Sequence, residues 1–193
     1  DDCNIYVKSQ RAAERVLQSV TRWLAQTLRL TVNQTKSAVD RPWNRKFLGY
    51  SFTTQRKRTI APKSRAKFKK QIRQMTKRNR GSSLARVISE LRSYILGWRG
   101  YFGHCQTPSV LRTLDSWIHR RLRCYVWKQW KTGQRRFAEL RRLGIGKDLA
   151  AQTAGSRKGY WHLSRSPALN MALSRAYLIE LGLPLLLEPE TKV

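Results

Sequence analysis

From Arg56 to Arg80 the chain makes two demands that a docked helix meets together. Arg56, Lys57, Arg58, Lys63, Arg65, Lys67, Lys69, Lys70, Arg73, Lys77, Arg78 and Arg80 succeed one another with no acidic residue between them. Phe68, Ile72 and Met75 recur in the same stretch at the intervals of one helical face. Pro62 suits a helix start, where its missing N–H is one of the donors that have no partner anyway. The segment therefore reads as a helix that docks by an apolar stripe and leaves an unbalanced cationic face in solvent. Solubility alone is served by mixed signs, so a face of one sign points to a polyanionic partner.

The whole chain repeats that imbalance. Its 193 residues hold 40 Lys and Arg against 11 Asp and Glu, a formal net charge of +29. Hydrophobic residues make up 40%, with seven Trp and seven Tyr, which is enough apolar mass for a packed core and unlike a disordered basic tail. A folded body so charged repels itself until a polyanion neutralises it, and nucleic acid is the usual one. No run of about 18 apolar residues is present to span a bilayer. The most apolar stretch, Ala176 to Leu187, is interrupted by Glu180, Gly182 and Pro184. Cys3, Cys105 and Cys124 are far apart and read as reduced thiols of a cytoplasmic protein. With His104, His119 and His162 they show no zinc-ligand spacing, and no phosphate-binding loop or dinucleotide fingerprint occurs. The chain begins Asp1-Asp2-Cys3 without Met and is expected to be a piece of something longer.

The periodicities predict an α+β chain in three parts. Residues 1–55 read as a strand at Asn4–Lys8, a helix over 10–29 capped by Ser9, and strands at Leu30–Asn33 and Lys46–Thr53, the last interrupted by Gly49. Residues 56–132 read as three amphipathic helices in an antiparallel bundle. The second carries Leu84, Val87, Ile88, Leu91, Ile95 and Trp98 and is expected to end in a glycine-punctuated aromatic turn, Gly97 to Gly103. The third, with Thr107 as cap and Pro108 in its first turn, has the stripe Leu111, Leu114, Ile118, Leu122 and Tyr125 and interleaves Arg120, Arg121 and Arg123 with Trp117 and with the run Trp127-Lys128-Gln129-Trp130-Lys131. Each Trp taken singly reads as core, whereas basic and aromatic residues interleaved in this way can also pair phosphates and stack bases. Residues 133–193 form a looser extension, with a helix near Phe137–Leu143, a basic loop at Arg157, Lys158 and Trp161, and a last helix over 166–181.

Five local patterns, in this order, resemble group II intron reverse transcriptase/maturases. Asp1-Asp2 followed by Cys3-Asn4-Ile5-Tyr6-Val7 resembles the family's catalytic aspartate pair and the strand after it. Asn33-Gln34-Thr35-Lys36-Ser37 and Phe47-Leu48-Gly49-Tyr50-Ser51-Phe52 resemble its next two palm motifs. The Ile95-to-Phe102 turn and the Leu114-to-Arg123 helix resemble its thumb, or maturase (X), domain. The resemblance implies the end of a palm followed by a mostly helical thumb.

It also implies roles: Mg²⁺ binding by Asp1 with Asp2 beside it, stabilisation of the leaving pyrophosphate by Lys36, and support of the primer end by Gly49 and Tyr50. Two-metal nucleotidyl transfer needs several carboxylates to hold its ions about 4 Å apart. The family's upstream aspartate and fingers are not in this sequence. The chain by itself is therefore expected not to polymerise DNA, and Mg²⁺ is expected only in a full-length parent. The end at Glu188-Pro189-Glu190, with no zinc-binding endonuclease motif, suggests the members that lack that domain.

By the same resemblance, the partners are group II intron RNA and a template-primer duplex within a bacterial-type ribonucleoprotein in the cytoplasm. The RNA-binding candidates are Lys63, Arg65, Lys67, Lys69, Lys70, Arg73, Lys77, Arg78, Arg120, Arg121 and Arg123, extended by Arg157, Lys158 and Trp161. The alternative is a non-catalytic basic module that binds RNA or DNA. Oligomeric state is not legible.

Overall fold

The computed structural model describes residues 3–187. It is α+β and mostly helical, and its contacts divide it into two units between Ala61 and Pro62.

The first unit opens with an extended segment and then α1 (Gln10–Thr27), whose N-cap Ser9 accepts from the Ala12 amide at 3.2 Å. Asn4–Lys8 is not a strand. Alternation makes a chain extended, but a strand also needs a ladder partner, and among the described residues this segment has none. Tyr6 instead sets its ring edge-on against Phe52, 6.2 Å between centroids. Leu30–Asn33 is not a strand either. Arg29 adopts φ +51° and closes α1 with a Leu30 N–H to Leu24 carbonyl bond, and Asn33 then turns the chain by accepting from the amides of Thr35 and Lys36.

The expected single strand at 46–53 is a hairpin. β1 (Lys46–Phe47) and β2 (Tyr50–Phe52) flank a two-residue turn in which Leu48 and Gly49 both have positive φ, the geometry that matches the twist of paired strands. β3 (Arg58–Ile60), which has no strand signature in the sequence, pairs with β2 and completes a sheet of order β1-β2-β3. Ser51, Ile60 and Ala61 are buried, but no residue of α1 is.

The second unit is built on three helices, α2 (Pro62–Met75), α3 (Leu84–Phe102) and α4 (Pro108–Gln129). Phe68 and Ile72 of α2, Val87, Ile88, Leu91 and Ile95 of α3, and Leu111, Leu114, Ile118 and Leu122 of α4 are buried at the expected positions. α3 does not end at Gly97. It runs on to Phe102 because Trp98 and Phe102 continue the Leu91–Ile95 stripe. Phe68 stands 4.4 Å from Trp98, which stands 4.5 Å from Phe102. Burying those rings outweighs the roughly 1 kcal/mol that each helical glycine costs. Thr107 precedes α4 without a side-chain capping bond. The loop between α2 and α3 is fastened to α4 by Tyr125 and Gln129, both of which donate to the Ser82 carbonyl.

α4 is long enough, 22 residues, to serve two cores. Its C-terminal part contributes Val126, Trp127 and Trp130 to a second apolar cluster. The other members come from α5 (Gly133–Arg142), α6 (Lys147–Ala154), α7 (Tyr160–Leu163) and α8 (Pro167–Ala172). The last helix expected over 166–181 is two: Ser174 caps a separate α9 (Arg175–Glu180) by accepting from the Tyr177 amide. The chain then returns to α4, where the buried Asp115 carboxylate accepts from the amides of Leu186 and Leu187 at 3.0 and 3.3 Å. Burial raises the Asp115 pKa against the opposing pull of those two bonds and of Arg175.

His119, one turn along α4, is 5% exposed, and burial lowers its pKa to about 4 with help from Arg123 and Arg175. An unfolded chain takes up this proton near pH 6.5, so acidification between about 6.5 and 4 favours unfolding. At pH 4.5 the native state is expected to lose about 2–3 kcal/mol relative to pH 7 through this one residue. Urea titrations of the wild type and His119→Gln at both pH values check it. The variant should show a smaller acid loss by that amount, and equal losses would exclude His119 as the cause.

Candidate nucleic-acid interface

The outer side of α2 is a cationic strip with no internal counter-charge. Lys63, Lys67 and Lys70 share one face at helical spacing and all are exposed, as are Arg73, Lys77 and Arg78. From Arg41 to Ser89 the sequence contains no Asp or Glu, so nothing along the helix neutralises them. Glu90, the next carboxylate, is engaged by Arg80 at 2.6 Å and Arg86 at 3.4 Å. On the flank toward α4, Lys69 and Arg73 lie over the Trp117 ring, 5.6 and 5.5 Å from its centroid. Trp117 is thus half-buried under two cations rather than part of the core.

Arg65 sits deeper than its neighbours. Its Nε is buried with no hydrogen-bond partner among the described residues, and the residue lines a cleft of about 150 Å³ with Lys69, Ser109 and Thr113. A guanidinium N–H left unpaired in a protein interior is costly.

The α4 arginines do two jobs. Arg121 reaches the end of α2, donating from Nη2 to the Thr76 carbonyl at 3.0 Å and from Nε to Thr76 Oγ1 at 3.1 Å. Arg120 donates from Nη2 to the Trp161 carbonyl at 2.9 Å, and Arg123 from Nε to the Ser164 carbonyl at 3.0 Å. The Thr76 and Ser164 carbonyls lie just past helix C-termini, where a cation is favoured by the helix dipole. Burial lowers the pKa of all three guanidinium groups, yet arginine keeps its charge in proteins. The arginines are therefore braces whose positive charge is not cancelled. Beside one of them an open cleft of about 260 Å³ is lined by Lys77, Arg78, Asn79 and Arg121, a size and chemistry that admit a phosphate.

A second cationic cluster forms around the Tyr160 ring. Lys128, Arg78 and Arg136 stand 5.0, 5.4 and 5.6 Å from its centroid, and Lys128 also donates to its hydroxyl at 3.4 Å. That bond is the largest influence lowering the Tyr160 pKa. Arg157 and Lys158 are exposed just before α7, and Trp161 follows within it. Asn79, Lys128, Arg136 and Tyr160 are absent from the sequence-based candidates. Lys128 lies in the Trp127–Lys131 run and carried a signal; Asn79 lies in the α2–α3 loop beside Arg121 of α4, and Arg136 and Tyr160 become neighbours of Lys128 only through the packing of α5 and α7 on α4.

The palm-type candidates Lys36, Gly49 and Tyr50 lie on two segments of the first unit, a turn and the β1–β2 hairpin. Lys36 is exposed in the turn that Asn33 stabilises, Gly49 is the second residue of the hairpin turn, and Tyr50 begins β2 half-buried. Asp1 and Asp2 lie outside the described residues. Among the described residues no group of three or more His, Cys, Asp or Glu could hold a metal ion, and no helix is long and apolar enough to cross a membrane.

Residues 65–144, from the first turns of α2 through α5, match the family model described as group II intron, maturase-specific domain. No curated protein matches the chain. Each phosphate contact contributes roughly 0.7–0.9 to the slope of log affinity against log salt. Replacing Lys77 and Arg78 together by Ala should reduce that slope for a structured RNA by about 1.4–1.8, with the unfolding midpoint within about 2 °C of wild type. An unchanged slope in a filter-binding salt series would remove the Lys77–Arg78 cleft from the interface.

Proposed function

We infer that the chain, whose residues 65–144 match the group II intron maturase-specific domain, binds structured intron RNA and supports its splicing-competent fold through the cationic side of α2 and the adjoining clefts. The observation that supports this most is the uncompensated strip: Lys63, Lys67, Lys70, Arg73, Lys77 and Arg78 exposed, within a stretch of chain free of carboxylates. An A-form RNA helix presents its phosphates and 2′-hydroxyls as a broad regular surface and is gripped by shape and charge. A straight cationic helix flanked by two clefts suits that target. Lys69 and Arg73 are held over Trp117, so part of the side-chain ordering that binding requires is already in place.

RNA-directed DNA synthesis enters this reading through resemblance alone. Lys36, Gly49 and Tyr50 support it by resemblance, and Asp1 and Asp2 would be the Mg²⁺ ligands. Two-metal transfer would also need carboxylates beyond Asp1 and Asp2. A template-primer duplex is a plausible second occupant of the α2 face, since a hybrid duplex shares the backbone geometry to which that face is suited.

The test is binding of the 193-residue chain to a group II intron transcript and to an unrelated structured RNA of equal length, across a salt series. A steep salt slope for both, with at least a tenfold preference for the intron, is expected. The same slope without preference would leave a basic nucleic-acid-binding module and overturn the maturase reading.

A further inference from the structure

We propose that Trp161 is a stacking platform for an unpaired RNA base, so that the segment beyond the family match adds single-strand recognition to the duplex grip of α2. This rests on the RNA-binding reading and extends it. Trp161 is 39% exposed, whereas Leu163, Ala168 and Leu169 just after it are buried. One side of its ring is covered by the Arg120 guanidinium, 3.8 Å from the centroid, the shortest cation-to-ring distance found among the described residues.

Arg120 is itself fixed. Its Nη2 donates to the Trp161 carbonyl at 2.9 Å and its Nε to Ser164 Oγ at 3.3 Å. Ser164 Oγ in turn donates to the Trp161 carbonyl at 2.7 Å. The ring and its backing cation are thus tied to one turn of chain and lose little freedom when a base arrives. The ring side that Arg120 does not cover is the side a base can take, giving a base–Trp–Arg stack.

The surroundings select the occupant. Between Asp148 and Glu180 the sequence has no carboxylate, while Arg157, Lys158 and Arg165 are exposed around the platform. An apolar peptide side chain would gain from the ring but nothing from the cations. A nucleotide gains from both, because its phosphates meet the cations as its base meets the ring. A paired base inside a duplex presents only its edge, so the platform distinguishes unpaired nucleotides from helical ones. Residues 65–144 end before α7, so this element lies outside the matched maturase region.

The experiment compares wild type, Trp161→Ala and Trp161→Phe in the full 193-residue chain. The probes are an RNA hairpin with a six-nucleotide single-stranded overhang and a blunt hairpin of the same length. Loss of one base stack is expected to weaken overhang binding by about tenfold in Trp161→Ala. Blunt-hairpin affinity should stay within twofold of wild type, and Trp161→Phe should recover most of the loss. Equal weakening on both RNAs would mark Trp161 as merely structural and overturn the proposal, as would no effect on either. A wild-type chain that binds both RNAs with no overhang preference would also overturn it while leaving the α2 grip intact. One that binds neither would overturn the RNA-binding reading itself.

Discussion

The second unit depends on arginine side chains that end on backbone carbonyls. Arg121 closes α4 onto the end of α2, while Arg120 and Arg123 close it onto the turn that holds Trp161 and Ser164. Arg92 and Arg99 of α3 reach the carbonyls of Gly182 and Leu185 in the returning tail. A chain with 40 cations and 11 acids cannot pair most of its charge internally. Backbone carbonyl oxygens serve as acceptors instead, and they satisfy guanidinium donors without consuming positive charge. Each such bond to a charged group contributes on the order of 1.5–3 kcal/mol where it is partly buried.

This arrangement explains how the same charge can hold a fold together and advertise for a polyanion. Had the braces been ion pairs, the surface potential would have been cancelled where the helices meet. Here Arg121 braces α2 and still lines the cleft beside Lys77 and Arg78. The lysines of α2 have the opposite character. Lys63, Lys67 and Lys70 are exposed, and their contribution belongs to binding rather than to stability.

Much of the second unit was legible because helical periodicity is local. The stripes of Phe68–Ile72, Val87–Ile95 and Leu111–Leu122 are buried as their spacing implies, and residues 65–144 match the maturase-specific family model. The errors fall where tertiary contacts override local signals. Gly97 and Gly100 read as a turn but are helical, because Trp98 and Phe102 stack on toward Phe68. Asn4–Lys8 and Leu30–Asn33 have strand-like composition but no strand to pair with, and β3 exists because β2 offers it an edge. The Tyr160 cluster joins residues up to 82 positions apart (Arg78 and Tyr160), and no spacing rule in one sequence anticipates that.

The division between bracing arginines and binding lysines is tested most directly by measuring salt slope and unfolding midpoint together on two variants. Arg123→Met should lower the midpoint by roughly 3–10 °C, for a loss of about 1–3 kcal/mol, and leave the RNA salt slope unchanged. Lys63→Ala/Lys67→Ala/Lys70→Ala should lower the slope by about 2–3 and leave the midpoint within about 2 °C. A variant of Arg123 that reduces the slope while keeping full stability would contradict the account, as would a lysine triple variant that unfolds the chain without touching the slope.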